Sequence, residues 1–452
     1  MKLIFLSLGL WGLMQASPLQ AQQPLNLKDC MTYALSHATQ LEIQRTDYAD
    51  ALLERRDALL QAFTPDISAG TNASTSFGRA VDPETNSYIS MTSFSNSYGV
   101  NASITLFDGL SALNRIRIAK TAVRMGQSEK QKLEDEICLA VLENYCKVLF
   151  QDEMDKAWQA QVETARQHLT LIRRQYELGQ KGYADVVQTE ADLAEREYQA
   201  VLCRNSRDEA LLDLKALMLW PSADSLQLDS EVLHPIEPDL NTPTAESAAQ
   251  LTGFARMYQP KVLLAKGEME KARYNVRAAR GRLFPTLSLQ GGWNTNYYTY
   301  PGKADYQAPS FSRQFRNNGG EYIQLSLSFP LYDRLRGLSN LKQKRHDYQR
   351  ASATYRQTLR DIENEVTRAL QDCEGARAAC VQAEKRWQVQ QEAYRLNEQE
   401  FTQGLISPIE FQTVTDTYLN AQAERLNARL QYRLKLSVVN YYKGIPYLEQ
   451  QN

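Results

Sequence analysis

Residues 362–401 read IENEVTRALQDCEGARAACVQAEKRWQVQQEAYRLNEQEF, and their spacing decides the fold. Ile362, Val366, Ala369, Cys373, Ala376, Cys380, Ala383, Trp387, Gln390, Tyr394, Asn397 and Phe401 follow one another in alternating steps of four and three. Only Gln390 and Asn397 interrupt a line of apolar, aromatic and cysteine side chains. That spacing returns one helix face to the same line turn after turn, the pattern of knobs-into-holes packing. Many of the residues are small, so the seam predicts close approach of neighbouring helices. No proline occurs from Arg336 to Gln403. A helix over that stretch would be about 100 Å long, far beyond an ordinary globular helix.

The same seam stands 225 residues earlier, in Ile137, Val141, Asn144, Val148, Gln151, Asp155, Trp158, Val162, Ala165, Leu169, Ile172 and Tyr176, inside the proline-free stretch Ser111 to Leu178. Phe107-Asp108-Gly109 and Tyr332-Asp333-Arg334 keep that offset, and Leu60 to Pro65 matches Arg280 to Pro285 at 220. The chain therefore reads as a tandem repeat, residues 22–220 and 249–452, with a linker at 221–248 marked by Pro221, Pro235, Pro238 and Pro243. Each half predicts a helix, two strands, a long helix (about 111–178 and 336–403), a turn and a shorter helix. The shorter helices are expected over Tyr33 to Ala62, Tyr183 to Met218, Ala249 to Leu283 and Pro408 to Lys443. Laid end to end they flank the long ones, and Pro260 breaks or kinks the third near its start.

Between the helices lie four stretches with period-two patterning, about 66–77, 97–107, 286–298 and 320–331. Tyr98, Val100, Ala102, Ile104 and Leu106 alternate with Gly99, Asn101, Ser103 and Thr105. Ile323, Leu325, Leu327, Phe329 and Leu331 alternate with Tyr322, Gln324, Ser326 and Ser328. Strands of about ten residues cross a bilayer at a barrel's tilt. Tyr297, Tyr298, Tyr322 and Phe107 near their ends suit an aromatic girdle. Four strands cannot close a barrel, and hydrocarbon does not tolerate an open edge. Further copies of the chain must complete it.

Lys2, the apolar run from Leu3 through Leu13 and the small residues up to Ala21 have the order of a secretory signal peptide, cleaved after Ala21 or Ala16. Leu27-Lys28-Asp29-Cys30 lacks the small residues of a lipoprotein box. Of 452 residues, 51 are basic and 53 acidic, a balance unlike that of a nucleic-acid binder. The histidines at 37, 168, 234 and 346 are scattered, and the six cysteines show no metal or disulfide-scaffold spacing. They read as small buried hydrophobes. No phosphate-binding glycine loop or nucleophile–base pair is present, so no cofactor, metal or catalysis is expected.

The turns after the long helices read Tyr176-Glu-Leu-Gly179-Gln-Lys-Gly182-Tyr-Ala-Asp185 and Phe401-Thr-Gln-Gly404-Leu-Ile-Ser407-Pro408-Ile-Glu410. Gly179 and Gly404 suit left-handed caps, Pro408 a first helical position, and Asp185 and Glu410 the first turns of returning helices. With the tandem design and the corners Leu106-Phe107-Asp108-Gly109 and Leu331-Tyr332-Asp333, these tips make the whole mature chain resemble TolC-type outer-membrane efflux proteins. Phe77-Gly78-Arg79, Asp82-Pro83 and Thr85-Asn86 resemble the Bacteroidetes branch.

That resemblance implies a mainly α homotrimer with a small β part: a trimeric α-helical barrel crossing the periplasm and a 12-stranded transmembrane β-barrel in outer-membrane lipid. It implies docking on a periplasmic adaptor and an inner-membrane pump, and export of drugs, small molecules or proteins. In the family, an aspartate–arginine–tyrosine network closes the periplasmic mouth. Tyr176, Phe401, Asp185 and Glu410 match or nearly match it, while Ile406 replaces the arginine and Thr413 a second acidic residue. Asp185 and Glu410 are then expected to ring the mouth and favour cations. A surface coiled-coil stalk is the other reading of the helices, but it leaves the paired amphipathic hairpins without a role.

Overall fold

The computed structural model describes residues 24–81, 86–230, 245–301 and 307–451. The leader at 1–21, Asp82-Pro83 and Thr85, and residues 231–244 of the linker lie outside them. In chain order the elements are α1 (Leu27–His37), α2 (Thr39–Phe63), β1 (Asp66–Val81), β2 (Tyr88–Phe107), α3 (Ser111–Glu177) and α4 (Tyr183–Met218). The second half adds α5 (Ala245–Tyr258), α6 (Pro260–Gly281), β3 (Thr286–Thr299), α7 (Phe311–Asn317), β4 (Gly320–Ser328), α8 (Arg336–Thr402) and α9 (Pro408–Tyr442). Among the described residues no helix is long and apolar enough to cross a membrane.

The long helices α3 and α8 each run 67 residues and start at the same kind of corner. Gly109-Leu110 and Arg334-Leu335 both take left-handed backbone, which turns the chain sharply from strand to helix. Asp108 Oδ2 accepts from Ala112 N at 2.8 Å, and Asp333 Oδ2 accepts from Gly337 N at 2.6 Å. The aspartate of each corner motif thus satisfies an otherwise orphaned amide of the first helical turn. Gly109 has a second reason to be glycine: a Cβ there would lie 2.1 Å from the Gly281 carbonyl oxygen. At that contact the start of α3 crosses the end of α6.

Every residue of the α8 seam is buried or half-buried, and so is every residue of the α3 seam except Tyr176. The seams change partner along their length. Val141, Tyr145 and Val148 of α3 pack with α1 and with Ala210, Leu214 and Met218 of α4 in the largest core cluster. Ile362 and Val366 of α8 pack with Leu251, Ala255 and Val262 of α5 and α6, and Cys373 with Tyr432 and Val439 of α9. Shorter helices laid end to end therefore do flank the long ones. All six cysteines are free thiols. Burial pushes the thiols of Cys30 and Cys138 up to about 12 and that of Cys146 to about 11, so they stay neutral and inert.

Two shorter helices are divided. Pro260, without an N–H, opens α6 after an extended Gln259. The expected helix from Tyr33 to Ala62 is two helices, broken at an extended Ala38. There Ser36 Oγ donates to the Tyr33 carbonyl at 2.8 Å, and His37 Nδ1 stands 2.9 Å from the same oxygen. These side chains compete for a helix-ladder acceptor. The start of the linker is pinned: Leu25 pairs with Leu228, and Leu226 is buried.

The four strands form one antiparallel sheet in the order β1-β2-β3-β4, with β1 and β4 as free edges. Pairing aligns Ile104 with Leu289 and Leu325, and Ile67 with Ala102, Gly291 and Ile323, on one face. The other face carries Ser103, Gln290 and Gln324 in one row and Thr105, Ser288 and Ser326 in the next. Ile323, Leu325 and Leu327 are 86%, 63% and 56% exposed in the single chain, so the apolar face has no cover of its own near the helices.

Four expectations are corrected here. The first hairpin exceeds ten residues a strand, at 16 for β1 and 20 for β2, because Thr71–Asn96 and Ser74–Ser95 hydrogen bonds extend the ladder through polar pairs. β4 ends at Ser328, short of 331, because Pro330 lacks a ladder donor. A bulge between Thr105 and Phe107 sets Phe107 in place of Leu106 opposite Leu287. Tyr322 belongs to the polar face, where its hydroxyl donates to Asn101 Oδ1 at 2.9 Å, and so does not join an apolar girdle. The sequence also gave no sign of α7, whose Phe311 and Phe315 pack edge-on and tilted against Tyr98, Trp293 and Tyr297.

The helical tips as the candidate functional site

The two tips are built alike. α3 and α8 end in Gly179 and Gly404, both left-handed with φ of +71° and +76°. The returning helices open with Tyr183 and Pro408. Gly182 N donates to Asp185 Oδ2 at 3.1 Å. Ser407 N and Oγ donate to Glu410 Oε2 at 2.9 and 3.0 Å, and Glu410 N donates to Ser407 Oγ at 3.3 Å. The second tip is thus a reciprocal capping box, and the first keeps its backbone half. The Ser407 bonds hold the Glu410 carboxyl below its ordinary value. Each cap engages one carboxylate oxygen; Asp185 is half-buried and Glu410 exposed.

Behind the caps the tips share an apolar core of Leu169, Ile172, Val186, Phe401 and Phe411, with Leu193, Tyr394 and Ile406 at its margin. Phe401 is 2% exposed and stacks on Phe411 with centroids 4.7 Å apart. Tyr176, at the same place in the first half, is 45% exposed and lies instead against Tyr183 at 5.9 Å. The apolar core contains Phe401 but not Tyr176, and this accounts for the one failure of the α3 seam. The structure brings Phe401 and Ile406 into one cluster and sets Gly404 beside Lys181 of the other tip, 3.7 Å from where a Cβ would lie. Thr413 is exposed and donates to the Ile409 carbonyl at 3.0 Å.

Two features were not found in the sequence. His168 of α3 faces Phe401 and Phe411 at 5.0 and 5.1 Å, and burial lowers its pKa. Arg196 of α4 is 3% exposed and grips Asp192 with a fork, Nε to Oδ2 at 2.9 Å and Nη2 to Oδ1 at 2.8 Å. Its Nη2 lies 3.6 Å from Asp416 of α9, so one guanidinium links the two halves. Burial pushes the Asp416 carboxyl up, against the pull of Arg196. The Asp192–Arg196 spacing of four is a visible helix pair; the contribution of Asp416 is a tertiary fact.

Comparison with known proteins supplies the context. A profile of the outer membrane efflux protein family matches residues 36–218 and again 255–437, one match to each half. The outer membrane protein TolC of Escherichia coli is 22% identical over 349 residues, 75% of this chain and 68% of TolC. The alkaline protease secretion protein AprF of Pseudomonas aeruginosa is 24% identical over 264 residues, which is 58% of this chain and about half (51%) of AprF. The Campylobacter jejuni CmeC outer membrane channel superposes with a TM-score of 0.77 at 16% identity, over 94% of this chain and 85% of that one. The open state of the Neisseria gonorrhoeae MtrE outer membrane channel gives 0.74 at 17%, over 94% and 88%.

Proposed function

We propose that this chain, which belongs to the outer membrane efflux protein family and is a protein of the outer membrane, is one of three identical subunits of a passive exit duct. The observation that carries the reading is an open four-stranded sheet, apolar on one face and polar on the other, joined directly to two 67-residue helices. An open edge left in hydrocarbon leaves its backbone groups unsatisfied. β1 of one copy therefore pairs with β4 of the next, and three copies close twelve strands with their polar faces around a lumen. The coiled-coil seams extend that lumen across the periplasm. There the tips meet an adaptor and an inner-membrane pump, whose substrates leave by this route; the subunit itself catalyses nothing.

Six carboxylates, Asp185 and Glu410 from three copies, ring the mouth in this reading. Capping engages one oxygen of each and leaves its charge in place, so the cap and the ring are compatible. Fields that add in a narrow ring concentrate cations and exclude anions. The test is the reversal potential of the purified protein in planar bilayers under a salt gradient. Wild type is expected to conduct with cation preference, and Asp185→Asn with Glu410→Gln to conduct with that preference reduced. An unchanged reversal potential would leave both residues as caps alone, and failure to conduct at all would reject the duct.

A further inference from the structure

About a third of the way along α3, far from tips and strands, the α5–α6 junction and the end of α9 border an open pocket of about 130 Å³. Its lining includes Gln131, Asp135, Phe254, Tyr258, Pro260 and Tyr441. Asp135 is only 8% exposed. It accepts from the Tyr441 hydroxyl at 2.8 Å and from Gln131 Nε2 at 3.0 Å. Among the described residues no cationic side chain forms an ion pair with it. Burial, opposed by the two hydrogen bonds, raises its carboxyl above the ordinary value. Desolvating a carboxylate without a counter-charge is costly.

The rest of the wall suits the missing charge. Phe254 and Tyr258 are stacked with centroids 4.6 Å apart, and aromatic faces attract cations. Gly444, at φ +91°, lets the Phe254 ring lie against its backbone, where a Cβ would meet Cζ at 2.4 Å. Gln131, Tyr258 and Pro260 also line a second chamber of about 370 Å³. That chamber is walled by Met125 and Leu263 and contains Lys266, while its Arg124 is neutralised by Glu270 at 2.7 Å. A small site with a desolvated carboxylate thus borders a larger one of mixed apolar and polar lining, in which Lys266 has no ion-pair partner among the described residues.

We propose that the paired chambers bind a small free organic cation, its ammonium or guanidinium head against Asp135 and an uncharged tail in the larger chamber. Lys266 disfavours a second positive charge on that tail. The site stands on its own geometry, independent of the exit-duct reading, and either can fail alone.

The test titrates butylammonium, uncharged N-butylacetamide and 1,4-diaminobutane against the assembled full chain in detergent, read by saturation-transfer NMR. Butylammonium is expected to bind about tenfold more tightly than the amide, with Asp135→Asn removing that difference. Tyr258 is 58% exposed, so Tyr258→Ala leaves the fold intact and weakens only the cation. The diamine binds more weakly than butylammonium, and Lys266→Gln narrows the gap. Equal binding of amide and cation, or cation affinity unchanged by Tyr258→Ala, would overturn the proposal even if Asp135→Asn fails to fold. Tighter binding of N-acetyl-lysine methylamide than of butylammonium would overturn the free cation in favour of a protein side chain.

Discussion

Gly109 and Gly179 are both left-handed glycines, yet their substitutions have different expected outcomes. A methyl at 179 meets nothing within 4 Å, so Gly179→Ala bears only the backbone strain, about 1–2 kcal/mol. At 109 the methyl collides with the Gly281 backbone, and no side-chain rotation relieves it. Gly109→Ala is expected to abolish the folded assembly, and Gly179→Ala to lower its thermal midpoint modestly; comparable losses would contradict the close crossing. His168 carries a pH prediction. Burial and, less strongly, Arg196 lower its pKa below the unfolded 6.5, while Asp192 opposes them. The fold therefore prefers the neutral ring: its contribution is intact above the unfolded value and is lost as pH falls through the lowered one. Limited proteolysis at the tips should speed up on acidification below that unfolded value, and His168→Phe should blunt the effect. Undiminished pH dependence in the variant would assign it elsewhere. The cap at Gly179 was legible in the sequence, whereas the roles of Gly109 and His168 were not. The Phe-Asp-Gly corner marked a repeat without showing that Asp108 caps α3, and His168 lies off the seam in α3.

Elements were legible where one physical rule acts alone. The seams were read from the 3-4 period because helix packing repeats it for tens of residues. The sheet faces were read from period two because one face is polar and the other apolar. What escaped depends on local competition: the bulge that sets Phe107 into the row expected for Leu106, the break at Ala38, and α7, held by rings from the two strands β2 and β3. The observed register sharpens one test. Ile104, Leu289 and Leu325 share a row, whereas Gln324 points to the other face. Ile104→Arg or Leu325→Arg is expected to cost about 2–4 kcal/mol near mid-bilayer and to depress assembled yield. Gln324→Arg, on the polar face that would line the proposed lumen, is expected to assemble normally. Sensitivity at 324 with tolerance at 104 and 325 would invert the faces. At the tips, residue types were legible and burial was not: the apolar cluster enclosed Phe401 and left Tyr176 outside, a choice made by packing against Phe411 and His168.

The whole molecule is a repeat that closes nothing by itself. Its sheet has two free edges, its apolar strand face is bare near the helices, and its two halves meet at the tips through Arg196 and the core that joins Leu169, Ile172 and Val186 to Phe401 and Phe411. A lone copy in lipid would leave the outer backbone groups of β1 and β4 without partners, so the edges require neighbours. In the proposed trimer every strand is paired, and the lumen follows from that closure. The most direct measurement is the mass of the purified chain in mild detergent, by analytical ultracentrifugation with the detergent contribution matched out. A single species of three chains, stable on dilution, is the result expected. A stable, folded monomer would contradict the account, since its open sheet would have to be satisfied without a second copy.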